Sequence, residues 1–502
     1  MSKKSLILTV GSFCSIKVND KINKFRKRMQ RFLISIFLVL FLHVSLKSQT
    51  LLWGTTHEGG PNGLGTIFVS DSTGTNFHTV FGFQAGIAKA PIGGLCLANN
   101  SSFYGVTGLN GFHHDSYCYT YNSATANYSN LHDFFATAGL GWCAKSRLIQ
   151  STNGTLYGLC AMGGNGNANT FGIIYSVDPA TETYNPIYLF DSINGAHPYG
   201  SLMEATNGKL YGITTNGGAH NSGVLFSFDP ATLIYSNRYD FTSPIGGVNY
   251  YASLQQATNG KFYGTTQYGG ANNNGEIFSF DESTSTFIDL FDFDFQNGAN
   301  PQSNLIEAAD GNFYGLTYSG GVDSLGVLYR VDTNGNYTKL FDFTGINGAH
   351  PSRRLLQTRN GKLFGTTLFG GINNVGVVFS YDISSTTYTK LLDFNTNSNG
   401  AYPECELIET PLIGIQGIIN LIDEKEFSVC PNPFTQQATI AFSDVQHNTT
   451  IKIIDVIGKE RKSINFSGKE CVIEKGELKS GIYFLQTSDE NKKVVNRKLV
   501  VQ

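Results

Sequence analysis

The sequence predicts an all-β fold made from seven copies of a four-stranded unit, a seven-bladed β-propeller, followed by a small β-sandwich domain. Three observations carry this expectation. An aromatic residue followed by glycine recurs at Trp53-Gly54, Tyr104-Gly105, Tyr157-Gly158, Tyr211-Gly212, Tyr263-Gly264, Tyr314-Gly315 and Phe364-Gly365. These glycines stand 50 to 54 residues apart, a period found in propellers and related repeat arrays. Between them lie short runs of β-branched and aromatic residues separated by Gly, Asn and Pro, the punctuation of antiparallel strands and turns.

Taken in order, residues 1–49 read as a signal peptide with an extended leader. Arg26-Lys27-Arg28 and Arg31 precede the apolar run Phe32 to Leu46, which has the length of a signal-peptide core and is short for a membrane span. Export without a retained transmembrane helix is therefore expected. Met29 opens a conventional signal peptide and is an alternative start to Met1.

Residues 50–410 form the array. In the unit around Tyr211, Ser201 to Ala205 is the first strand, Asn207-Gly208 a turn, Lys209 to Thr215 the second strand, Gly223 to Asp229 the third, and Arg238 to Phe241 the end of the fourth. The array starts in mid-unit, because Leu51 to Thr56 matches a second strand with no first strand before it. The missing copy lies at the other end, where Glu406 to Thr410 matches Ser201 to Ala205. Pairing of these N- and C-terminal strands would close the ring and remove an open sheet edge.

Residues 411–426 read as a linker, and residues 427–502 as the sandwich. Its strands are Ala438 to Phe442, Thr450 to Ile454, Cys471 to Ile473, Gly481 to Leu485 and Arg497 to Val501.

With 35 basic and 38 acidic residues among 502, and only 15% charged, the chain offers no basic face for nucleic acid. The eight cysteines show no CxxC or ligand spacing, and no disulfide framework is expected. Nucleophile-elbow, zinc-helix, phosphate-loop and calcium-loop motifs are absent from the sequence. No catalytic residue, metal or cofactor is assigned.

Three sets of side chains invite a function. Gln150, Glu204, Gln256, Glu307, Gln357 and Glu409 occupy one place in the first strand, with Leu97 as the apolar member. They either line the central channel, as a ring for a cation or a sugar, or bond one unit to the next; repetition favours the second. An Asp closes most fourth strands, at Asp133, Asp191, Asp240, Asp292, Asp342 and Asp393, and suits a turn acceptor for backbone N–H groups. The strongest departures from the repeat are His113, His114 and Asp115, which stand in place of a Gly-Gly-type turn, and Trp142. The first three are possible metal or ligand contacts on what is otherwise a solvated turn. Trp142 either stacks on a sugar or packs under a neighbouring unit.

Copies such as Asn259-Gly260-Lys261-Phe262-Tyr263-Gly264-Thr265-Thr266 and Asn360-Gly361-Lys362-Leu363-Phe364-Gly365-Thr366-Thr367 resemble the tandem GloVer repeats of bacterial surface and secreted proteins. The resemblance implies a propeller outside the cytoplasm and supplies no catalytic residues. Residues 427–502 resemble the C-terminal sorting domain of type IX secretion substrates of Bacteroidota. The matching residues are Pro431-Asn432-Pro433-Phe434, Ile453-Ile454-Asp455 with Gly458-Lys459, Leu478 to Phe484 including Gly481-Ile482-Tyr483, and Lys498-Leu499-Val500. The type IX machinery is then an expected partner, and the cell surface or the medium the expected destination. Two function classes follow: a propeller that binds a glycan or a protein through its loop faces, or a propeller enzyme, lyase or glycosidase, acting on polysaccharide.

Overall fold

The computed structural model describes residues 50–501 apart from 85–88, 109–115, 135–143, 164–170, 243–252, 352, 412–426, 431–433, 456–459, 480 and 489–493. The expected signal peptide and linker lie outside the described residues. Within them every regular element is a strand, and no helix is long and apolar enough to cross a membrane.

The strands pair into seven four-stranded antiparallel sheets and one five-stranded sheet. The seven are numbered below from first to seventh by their aromatic-glycine pair, Trp53-Gly54 to Phe364-Gly365. Six of them run in chain order, as in the fourth: Met203–Glu204, Leu210–Ile213, Val224–Asp229, Ile234–Asp240. The first sheet combines both ends of the array. Ile408–Pro411 pairs with Thr50–Thr56, placing Leu51 opposite Thr410 and Trp53 opposite Ile408. Trp53 Nε1 donates to Thr410 Oγ1 at 3.1 Å across that seam, so the buried indole nitrogen has its acceptor.

The recurring glycine is explained by the third strand. A Cβ on Gly264 would sit 2.6 Å from Cζ of Phe278, on the paired strand, closer than real Cβ contacts allow. The same ring position is Phe68, Tyr119, Tyr175, Phe226, Tyr329 or Phe379 in the other sheets, so aromatic and glycine are selected together.

Sheet-to-sheet packing is aromatic and regular. Phe83, Phe134, Phe190, Phe241, Phe293 and Phe343, each just past a fourth strand, meet Tyr119, Tyr175, Phe226, Phe278, Tyr329 and Phe379 of the following sheet. Phe394 meets Phe68 of the first; all seven pairs have centroids 5.3–5.8 Å apart. Near-parallel stacks join the fourth strands themselves: Phe81–Tyr128, His132–Tyr184, Tyr188–Tyr235, Tyr239–Phe287, Phe291–Tyr337 and Phe341–Tyr388, at interplanar angles of 3–6°. In the seventh place Leu392 and Phe77 share one cluster. Such pairs each contribute about 0.5–1.5 kcal/mol beyond area burial. His132 is the one imidazole in this series, and burial pushes its pKa down to about 4.

The C-terminal unit, expected as a compact sandwich, is one continuously paired set of strands whose two halves share a core. Its five strands, Phe427–Cys430, Gln437–Asp455, Glu460–Glu474, Gly481–Ser488 and Val494–Val501, pair as a single sheet. The long second strand serves two halves. Thr439–Phe442 pairs with Phe427–Cys430, Thr450–Asp455 pairs with Gly481–Ser488, and the register breaks between Ala441 and Thr449. That break allows Ala438, Ile440 and Phe442 from one half and Ile451, Ile453, Leu485 and Leu499 from the other to share one core.

Candidate functional site

Each fourth strand ends beside the turn that joins the second and third strands. Oδ1 of Asp240, Asp292, Asp342 and Asp393 accepts the backbone N–H of Ala219, Ala271, Val322 and Ile372 at 2.7–2.9 Å. In a regular strand the residue three positions earlier would face the other way. A register shift in the third/fourth-strand ladder of all seven sheets acts as a β-bulge and brings that residue back beside the Asp.

What stands there varies from sheet to sheet. In the sixth, Lys339 Nζ lies 3.0 Å from Asp342 Oδ1 and donates to the Gln296 carbonyl of the preceding sheet at 3.2 Å. In the seventh, Lys390 Nζ lies 2.9 Å from Asp393 Oδ1 and donates to the Ile346 carbonyl at 3.0 Å. The fourth sheet has the shorter Asn237, whose Nδ2 donates to Asp240 Oδ2 at 3.0 Å. No lysine spans the gap there, and a cleft of about 460 Å³ is open between Ser192, Ile193 and Asn194 on one side and Gly217, Gly218, Ala219, Asn221, Asn237 and Asp240 on the other.

The fifth sheet has Asp289 at this place. Directly opposite Asp292 on the third strand it also has Glu276, where the fourth, sixth and seventh sheets have Val224, Val327 and Val377. One oxygen from each of Glu276, Asp289 and Asp292 lies within 4.8 Å of the others. Glu276 is 0% exposed and neither of its carboxylate oxygens has a hydrogen-bond partner. Burial, then the charges of Asp289 and Asp292, pushes its pKa up to about 8. Partial desolvation, then the charge of Asp292, raises the pKa of the more exposed Asp289.

The first-strand ring is engaged with backbone. Gln150, Gln256 and Gln357 accept from Asn99, Thr206 and Ala309 N–H at 2.7–2.9 Å, and Glu204, Glu307 and Glu409 accept from Thr152, Thr258 and Arg359 N–H at 2.8–3.2 Å. Every donor belongs to the turn of the preceding sheet. Among the strand-end acids, Asp191 is misplaced by the sequence pattern. Leu189 is the residue opposite Ile173, and Asp191 takes the place of Asp294, each holding the N–H of the Asn three residues on. His113, His114, Asp115 and Trp142 lie outside the described residues, as do Pro431, Asn432 and Pro433. Phe434 is buried in the C-terminal core, Gly481 and Ile482 open a strand, and Tyr483 donates to the Lys479 carbonyl at 2.9 Å.

A second polar constellation had no signal in the repeat pattern. Lys145, Tyr199, Ser201, Asn304, Arg353, Arg354 and Glu406, from five sheets, line one small cavity. Arg147 pairs with Glu406 at 3.2 Å, Arg353 with Glu404 at 2.9 Å, and Arg354 donates to Gln255 at 2.6 Å. The cavity-lining residues precede the first strands of their units and meet from units far apart in sequence.

Residues 43–257 and 244–416 match the Gloeobacter/Verrucomicrobia repeat, and residues 428–502 match a secretion system C-terminal sorting domain. An endo-acting ulvan lyase of Formosa agariphila is 33% identical over 84 residues, a stretch that spans 16% of this chain and 16% of the lyase. Among solved structures, PorZ, a surface component of the type-IX secretion system of Porphyromonas gingivalis, aligns at 13% identity and a TM-score of 0.42 over 88% of this chain and 63% of PorZ. The periplasmic gluconolactonase PpgL of Pseudomonas aeruginosa aligns at 15% identity and a TM-score of 0.49, over 72% of this chain and 99% of that one.

Proposed function

Because the chain belongs to the Gloeobacter/Verrucomicrobia repeat family and ends in a type IX sorting domain, we propose that it is a surface or secreted propeller that binds a polar ligand, a glycan or a protein, through the loop ends of its sheets. The sorting domain directs export to the cell surface or the medium. Seven four-stranded sheets, aromatic contacts passing from each sheet to the next and from Phe394 back to Phe68, and a first sheet shared by both ends of the array support a closed seven-bladed ring. In this scheme residues 1–49 are the signal peptide, 50–410 the propeller, 411–426 the linker and 427–502 the sorting domain.

The cleft at Asn237 and Asp240 carries the binding assignment. It combines a carboxylate, amides and turn backbone with the exposed Ile193 at its edge, and few polar groups beside an apolar surface are what a sugar or a polar peptide side chain requires. The alternative, an enzyme acting on polysaccharide, has the short ulvan lyase likeness in its favour. Its acid/base chemistry is not served by the carboxylates of the fifth sheet, because both groups of a glycosidase pair must reach the scissile bond and Glu276 is closed off from solvent.

The test is titration calorimetry of the exported protein against a panel of soluble neutral and anionic polysaccharides, with Asn237→Lys as the comparison. That change installs the residue of the sixth and seventh sheets, so it should fill the cleft, pair with Asp240 and leave the melting temperature unchanged. Saturable binding to one glycan that falls at least tenfold in Asn237→Lys supports the site. Binding that survives the substitution places the ligand elsewhere, and heat flow that continues with product release supports the enzyme.

A further inference from the structure

The strand-end position of the fifth sheet is a place where two lysine-bearing neighbours show what is missing. In the sixth and seventh sheets an ammonium group neutralises the strand-end Asp, and the facing third-strand residue is an inert Val. In the fifth sheet the lysine is replaced by a carboxylate and the Val by another, so the cation has gone and two further anions have arrived. A carboxyl side chain excluded from water without a partner is costly, and Glu276 is in that condition with both oxygens unmatched. Its two neighbours offer only acceptors when ionised, so no rearrangement within the triad supplies a donor to all three.

We propose that Glu276, Asp289 and Asp292 bind a divalent cation of the calcium class, which takes the place of the lysine ammonium of the neighbouring sheets. The donor set is all oxygen and carries three carboxylates, which selects Ca²⁺ or a similar hard ion over zinc or copper. The site is graded in depth, with Glu276 buried, Asp292 half-buried and Asp289 exposed, so an ion enters past Asp289. Asp292 Oδ1 is held by the Ala271 N–H at 2.9 Å, which fixes one ligand to the Gly-Gly turn; the ion would brace that turn against the end of the fourth strand. The site shares no residue with the Asn237 cleft and does not depend on which ligand that cleft takes.

Calorimetric titration of the full exported chain, first dialysed against chelator, with CaCl₂ and separately with MgCl₂ tests this directly, with thermal unfolding alongside. The expected result is one saturable calcium site per chain and a melting temperature raised by about 3–5 °C at saturation. Glu276→Val copies three sibling sheets and should fold; it should weaken calcium binding at least tenfold. The double variant Glu276→Val with Asp289→Lys recreates the sixth-sheet arrangement and should melt at the calcium-loaded temperature with or without the ion. An absence of calcium heat in the parent protein, or a calcium isotherm unchanged in Glu276→Val, overturns the proposal.

Discussion

The fifth and sixth sheets share a backbone and differ in what closes their fourth strands. Both place an Asp against the Gly-Gly turn, Asp292 on Ala271 N–H and Asp342 on Val322 N–H, and both bulge at the same point of the ladder. One then adds Lys339 over a Val, and the other adds Asp289 over a Glu. The difference teaches that the scaffold role is fulfilled by the Asp alone, and that the third-strand and bulge positions are free to carry charge of either sign. Charge variation in this array is therefore local to a sheet end and leaves the aromatic contacts between sheets in place.

The largest effect should come from moving one arrangement into the other's place. Val327→Glu with Lys339→Asp builds the acidic triad in the sixth sheet, and in chelator it should cost about 3 kcal/mol in urea unfolding, through an unpaired buried carboxylate and a lost ammonium. An unchanged midpoint would mean that the two positions are not equivalent.

A middle-sized effect tests whether single departures elsewhere in the array are also local. His132 stands where Phe291 and Phe341 stand in the fifth and sixth sheets, stacked on Tyr184. Its folded pKa of about 4 lies below the ordinary value of 6.5, so the folded chain holds fewer protons than the unfolded one. That stability is complete above pH 6.5 and is lost as pH falls toward 4. His132→Phe should therefore lose about 3 °C less than the parent between pH 7 and pH 4.5, read by thermal scans. Parallel curves would show that the imidazole is protonated without cost.

The smallest effect is Lys339→Ala. Its ion pair with Asp342 is partly exposed, and removal should cost under about 1 kcal/mol in the same urea assay, because the Asp keeps its turn N–H.

The repeat was legible wherever one residue type answers one steric demand. Tyr-Gly recurs because the third-strand ring leaves no space for a Cβ, and the mid-unit start at Leu51 revealed the seam with Ile408. Asp191 passes for a strand-end acid because Leu290-Phe291-Asp292-Phe293-Asp294 repeats Phe-Asp with the period of a strand, and a slip of two residues preserves the face pattern. Glu276 belongs to neither a repeated polar position nor a diverged turn, so as a lone acid inside an apolar strand it does not stand out from those patterns. Its signal was present in the sequence, since every other sheet has a Val, an Ile, a Tyr or a Thr at that place. The Arg147, Arg354 and Glu406 grouping had no such signal, because its members become neighbours only through contacts between distant units.

The seam of the first sheet also sets an order of assembly. Trp53 and its acceptor Thr410 are separated by 357 residues, so the strands synthesised first complete their sheet last, and contacts of such long sequence separation form slowly. A chain that ends before Ile408 keeps an open edge on Thr50–Thr56 and also lacks residues 428–502, its export address. Truncation is thereby registered twice, once as an unfinished sheet and once as a missing passport for export.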